Sequence, residues 1–99
     1  MALPVKWTEY AIEDFENVIS YLLREWGYKV AEEFAENTHS RIERISIYPE
    51  IGIESHKEPF VRSIVLSKQN KLYYRITIQS IEILNIFDTR QNPEKNKYE

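Results

Sequence analysis

The chain has 99 residues, 42% of them hydrophobic and 29% charged, enough for one compact domain burying roughly 65% of its unfolded surface, with no room for a second. Its net charge of -3 gives no overall pull toward nucleic acid, and the absence of cysteine excludes disulfides, thiolate metal sites and thiol nucleophiles. No run approaches the roughly 20 apolar residues of a membrane helix, and the opening Met1 to Lys6 has no apolar signal segment, so a cytoplasmic protein is expected.

Leu3 to Trp7 alternates weakly and predicts a short strand, followed by Thr8, a side chain able to cap a helix. Ala11, Phe15, Val18, Ile19, Leu22 and Trp26 then recur at spacings of three and four, which predicts a helix with one apolar stripe. Trp7 and Ile12 are placed to staple its entry, and Gly27 to end it as a left-handed cap. A second helix is predicted from about Tyr28 to Tyr48, with Ala31, Phe34, Thr38, Ile42 and Ile45 on one side and Pro49 closing it. Two helices joined by a glycine turn form an antiparallel hairpin.

Residues 50–59 show little periodicity and predict a loop. The pattern then turns to β: Phe60–Leu66, Lys71–Ile78 and Ser80–Asp88 are rich in Ile, Val, Leu and Tyr and are separated by short polar breaks, predicting an antiparallel meander. The fold class is therefore α+β, with the order βααβββ and the helices on one face of the sheet. The polar tail, residues 91–99, is expected to be mobile.

A two-residue turn at Gln79–Ser80 would set Ile78 opposite Ile81, Ile76 opposite Ile83, Tyr74 opposite Asn85 and Leu72 opposite Phe87, all facing the helices. Val61, Ser63 and Val65 would join that face. The other face would hold Arg62, Lys71, Tyr73 and Arg75 among the aliphatic Ile64, Leu66, Leu84 and Ile86. That many aliphatics on an uncovered sheet face imply a partner, so these four are the expected antitoxin-binding residues once the resemblance below is taken into account. Any polyanion site belongs to the second half: residues 1–50 carry five Lys/Arg against ten Asp/Glu, whereas residues 51–99 carry eight against six.

Three local signatures follow in order along nearly the whole chain. Val5-Lys6-Trp7-Thr8 leads to Ala11, Phe15, Ile19 and Tyr21; Ile45 to Pro49 leads to Gly52 and Val61-Arg62; Tyr74-Arg75-Ile76 leads through Ile81–Ile86 to Phe87-Asp88-Thr89-Arg90-Gln91-Asn92-Pro93. With the element order, they resemble the RelE/ParE superfamily of toxins from type II toxin-antitoxin systems, also known as plasmid stabilisation proteins. The resemblance implies a growth-inhibiting toxin that forms an oligomer with its cognate antitoxin. RelE-like members cut messenger RNA on the ribosome, as endoribonucleases; ParE-like members share the fold and poison DNA gyrase without being enzymes of this kind. A member that only binds antitoxin is a third alternative.

RNA cleavage by attack of a ribose hydroxyl needs a base, an acid and cations. Arg62, Lys71, Arg75 and Arg90 are the candidate catalytic cations, Arg62, Lys71 and Arg90 through the resemblance, with Tyr73 and Lys57 as candidate RNA contacts. Each has a structural alternative, such as Lys71 paired across strands with Asp88. Proton-transfer groups are scarce: after the last strand only Tyr98 is aromatic, and His39 and His56 lack partners at ligand spacing. No metal site and no cofactor are expected.

Overall fold

The computed structural model describes residues 2–99; Met1, the first residue of the leading segment, lies outside them. The elements are β1 (Val5–Trp7), α1 (Glu9–Glu25), α2 (Tyr28–Ile47), β2 (Ile53–Glu54), β3 (Val61–Ser67), β4 (Asn70–Ile76) and β5 (Ile81–Asp88), with 3-10 turns at Pro49–Ile51 and Pro93–Lys95. No helix among the described residues is long and apolar enough to cross a membrane.

Thr8 starts α1 as expected. Its Oγ1 accepts from Ala11 N at 3.2 Å and also lies 2.9 Å from the carbonyls of Ile83 and Leu84, so one hydroxyl caps the helix and ties it to the last strand. The entry is stapled differently: Trp7 packs edge-on against Phe15, with centroids 5.5 Å apart, while Ile12 is exposed. At the other end Gly27, at φ 93° and ψ 176°, takes a positive-φ extended conformation open to glycine, not the left-handed helical cap expected, and turns the chain into α2. Trp26, expected on the buried stripe, is 67% exposed, because it is the C-cap and has already left the helical conformation. In α2, Ala31, Phe34, Thr38, Ile42 and Ile45 are all buried, and Thr38 donates back to Phe34 O at 2.8 Å.

The sheet is mixed and five-stranded, in the order β1-β5-β4-β3-β2. β1 runs parallel to β5, pairing Val5 with Ile81 and Trp7 with Ile83. The segment expected to be all loop supplies β2, which pairs antiparallel with β3 through Ile53–Ser63 and Glu54–Arg62. Alternation over two residues is too short to be seen in sequence.

Two irregularities change the expected register. Between β4 and β5 the turn is four residues, Thr77 to Ser80, closed by Thr77 N donating to Ser80 O and Ser80 N donating to Thr77 Oγ1, both at 2.9 Å. Ile76 therefore pairs with Ile81, and Ile78 stands in solvent. Further along, Tyr74 pairs with Ile83 but Tyr73 with Asn85, so Leu84 is an extra residue and inverts the alternation beyond it. Between β3 and β4 a second irregularity leaves Leu66 extra, since Ser67 pairs with Asn70 but Val65 with Lys71.

The faces follow from these bulges. Ile64, Leu66, Leu72, Tyr74, Ile81, Ile83 and Ile86 form the core under the helices, together with Ala11, Phe34, Ile42 and Ile45. Val61, Tyr73, Leu84 and Phe87 form a second cluster on the opposite face. Val61 and Phe87 are thus not under the helices, and Val65 is half-exposed. Ile64, Leu66 and Ile86, expected on an open face, are buried instead.

That opposite face is not bare either. The tail, expected to be mobile, crosses it: Tyr98 packs on Tyr73 with ring centroids 5.3 Å apart, and buried Asn96 donates through Nδ2 to Tyr73 Oη at 2.9 Å. Tyr73 donates in turn to Glu99 Oε1 at 3.1 Å, and Ser55 Oγ donates to the carbonyl of Tyr98. Burying the second cluster is what holds the tail, despite its polar composition.

Candidate functional site

The four candidate cations do not converge. Arg62 lies on the helix-side face at the start of β3, where Nη1 donates to the carbonyls of Gly52 at 2.8 Å and Glu50 at 3.1 Å and Nη2 pairs with Glu54 at 3.1 Å. It ties β2 and the preceding turn to the sheet. Lys71 and Arg75 lie on the opposite face, roughly 13 Å apart along β4 at about 3.3 Å per residue. Lys71 pairs with Glu99 at 3.5 Å, in place of the expected Asp88, and Arg75 with Glu82 at 4.0 Å. Arg90 follows β5 at the other end of the sheet from Arg62.

Arg90 is held by Asp88 in a fork: Nε and Nη2 donate to its two carboxylate oxygens at 3.1 and 2.7 Å. Those bonds keep Asp88 below its ordinary carboxylate value, while Asp88, with Tyr21, raises the Arg90 value. Around them lies a cleft of about 260 Å³ lined by Asp14, Asn17, Tyr21, Asn70, Asp88 and Arg90. Asp14 is the member that sequence analysis missed. Burial raises its carboxyl above the usual value, although Oδ2 accepts from Ile86 N at 3.0 Å. The signal was present: Asp14, Val18 and Tyr21 stand at i, i+4 and i+7, so a carboxylate sits on the stripe that faces the sheet.

The two candidate RNA contacts are also engaged. Tyr73 is fully buried beneath the tail, so its ring cannot stack on a base in this arrangement, and burial pushes its phenol up to about 12. Lys57 Nζ donates to Asn96 O at 3.3 Å. Of the four residues expected to meet an antitoxin, Ile64, Leu66 and Ile86 are in the helix-side core. Leu84 alone lies on the opposite face, and it is buried too. His39 packs near the Phe15 ring, at 6.1 Å between centroids, and His56 is exposed in the β2–β3 loop. No group of three or more metal-ligating side chains occurs among the described residues.

A parallel N-terminal strand, a helix hairpin on one sheet face and an antiparallel meander are shared with several solved structures. They include a chromosomal ParDE toxin-antitoxin system from P. aeruginosa (TM-score 0.73, 19% identity, covering 88% of this chain and 96% of that one). A YoeB/ParE toxin from Agrobacterium tumefaciens gives 0.62 and 17% over 87% and 98% of the two chains, and the isolated E. coli RelE toxin gives 0.63 and 14% over 94% and 90%. At these identities the likeness is one of fold, and the fold is that of the RelE/ParE superfamily of type II toxins. No curated protein matches the chain. The ParE toxin family of type II toxin-antitoxin systems, parDE, matches residues 5–93, and the chain belongs to that family.

Proposed function

We propose that this chain is a ParE-like toxin that arrests growth by binding DNA gyrase, and that a cognate antitoxin restrains it. The observation that carries the reading is the dispersal of the cations. Arg62, Lys71, Arg75 and Arg90 occupy two faces and both ends of the sheet, and each already has a carboxylate partner. In-line attack of a ribose hydroxyl needs several such groups within hydrogen-bond reach of one phosphate. A binding protein has no such requirement. Family membership supports the same choice, and the net charge of -3 favours a protein target over RNA.

A second reading has one observation in its favour. The cleft holding Arg90 also contains Tyr21 and Asp14, a cation beside two proton-carrying groups, which is the composition that ribosome-dependent RNA cleavage would need. Inducing the chain without antitoxin, while mapping cuts in translated messages and gyrase-linked DNA breaks, separates the two. DNA breaks with intact messages are the expected result. Codon-phased cuts with intact DNA would overturn it and move attention to Arg90 and Tyr21.

A further inference from the structure

The β2 end of the sheet presents an apolar surface inside an acidic rim. Phe60 is the one non-glycine residue with positive φ among the described residues, at 66°. A bulky side chain is disfavoured there, and this ring gains little burial in return, being 74% exposed. The backbone is fixed in place by Phe60 O accepting from Ile76 N and by Val61 O accepting from Ser55 N, both at 2.9 Å. Ile78, two residues beyond Ile76 in the β4–β5 turn, is 98% exposed. Two large apolar side chains at one sheet end, with no cover among the described residues, form a docking surface.

Charge says what covers it. A cleft of about 490 Å³ adjoining Phe60 is lined by Glu50, Glu54, Glu58 and Arg62, three carboxylates against one guanidinium. Arg62 is spent on Glu54 and on backbone carbonyls, whereas Glu50 and Glu58 have no ion-pair partner among the described residues. The nearby Lys57 turns its ammonium toward Asn96 O, away from balancing them. A nucleic-acid backbone would be repelled from this rim. An apolar protein segment carrying lysine or arginine would not.

We propose that Phe60 and the acidic cleft beside it are the surface through which this toxin holds its protein target, by a basic, apolar segment of that target. The inference rests on the gyrase reading for the identity of the target. An apolar side chain of the partner covers Phe60, and a neighbouring cation meets Glu50 and Glu58. The left-handed backbone of Phe60 is then a cost that folding alone does not repay and binding does.

The test uses purified toxin and gyrase holoenzyme in a supercoiling assay, with Phe60→Gly and Glu58→Lys. Glycine adopts φ 66° without strain, so Phe60→Gly should melt no lower than wild type while its half-inhibitory concentration rises about tenfold or more, as for loss of an aromatic anchor. Glu58→Lys should raise it several-fold through charge repulsion. Wild-type inhibition by both variants, or tighter inhibition by Glu58→Lys, overturns the proposal. If wild type leaves supercoiling untouched and cuts translated messages, the gyrase reading fails by itself. The surface is then judged by the cutting: loss in Phe60→Gly with an unchanged melting temperature keeps it as the target-docking surface, and undiminished cutting removes it.

Discussion

A side chain at position 52 would collide with Tyr74. A Cβ on Gly52 would lie 2.5 Å from Tyr74 Oη and 2.9 Å from Ser63 O, so the glycine is required by close approach and not by backbone conformation. The approach exists because Tyr74 Oη accepts from Gly52 N at 3.0 Å and donates to Pro49 O at 2.6 Å, closing the turn after α2 from within the core. Gly52→Ala should therefore destabilise the protein by about 1–3 kcal/mol through overpacking. Tyr74→Phe should cost about 1–3 kcal/mol by leaving a buried N–H and a carbonyl without partners. The two changes share one contact, so their effects in urea unfolding should not add. The double variant should fall short of the sum, since phenylalanine removes the closest clash, yet it should stay below wild type because the Ser63 carbonyl remains. Additive effects would mean that the phenol does not fill this space.

Along the strands, one inserted residue decides which side chains are buried. Without the extra Leu66, Val65 would stand under the helices and Ile64 outside; with it, Ile64 is buried and Val65 half-exposed. Ile64→Ser should then cost about 2–4 kcal/mol, and Val65→Ser should lie within about 0.5 kcal/mol of wild type. The opposite ranking in denaturant unfolding would restore the unbulged register. The same logic removes Ile86 from any partner surface: Ile86→Ser should unfold the protein instead of selectively weakening a complex. Helices were legible because their stripes repeat over four or more turns, and Thr8, Gly27 and Pro49 mark their ends. Strands were legible as strands from their β-branched and aromatic residues. The bulges were not, since Leu66 and Leu84 are ordinary strand formers with no glycine or asparagine to announce an irregularity, and each bulge inverts everything beyond it. The site reading inherited that error. Arg62 moved to the helix side and lies at the opposite end of the sheet from Arg90, while Asp14 entered the cleft from a helix read only for its apolar side chains.

At the scale of the whole molecule, the sheet is covered on both faces, by the helix hairpin on one and by the tail on the other, and the two coverings respond differently to pH. The helix-side core is mostly aliphatic. The tail side depends on the Tyr73 phenol, which accepts from Asn96 and donates to Glu99. Burial raises that phenol from 10.0 to about 12, and the nearby Glu99 carboxylate adds to the effect. A raised folded value means that the unfolded chain ionises first, so this contribution is complete below pH 10.0 and is lost as pH rises through about 12. Tyr74, raised chiefly by burial, acts in the same direction. On the acid side the signs oppose: Asp88, lowered mainly by Arg90, contributes stability that disappears as pH falls below 3.8 through its folded value, while Asp14, raised by burial, favours the fold at low pH and does so less as pH rises past 3.8. The acid limb should therefore be shallow and the alkaline limb steep. Urea unfolding across a pH series checks this, and Tyr73→Phe isolates the tail phenol: phenylalanine keeps the ring packed against Tyr98 but cannot ionise, so the loss above pH 10.0 should shrink to the part owed to Tyr74 and to Tyr28, which its hydrogen bond to Glu32 raises. An alkaline limb unchanged in that variant would mean that the Tyr73 phenol is not buried between Asn96 and Glu99.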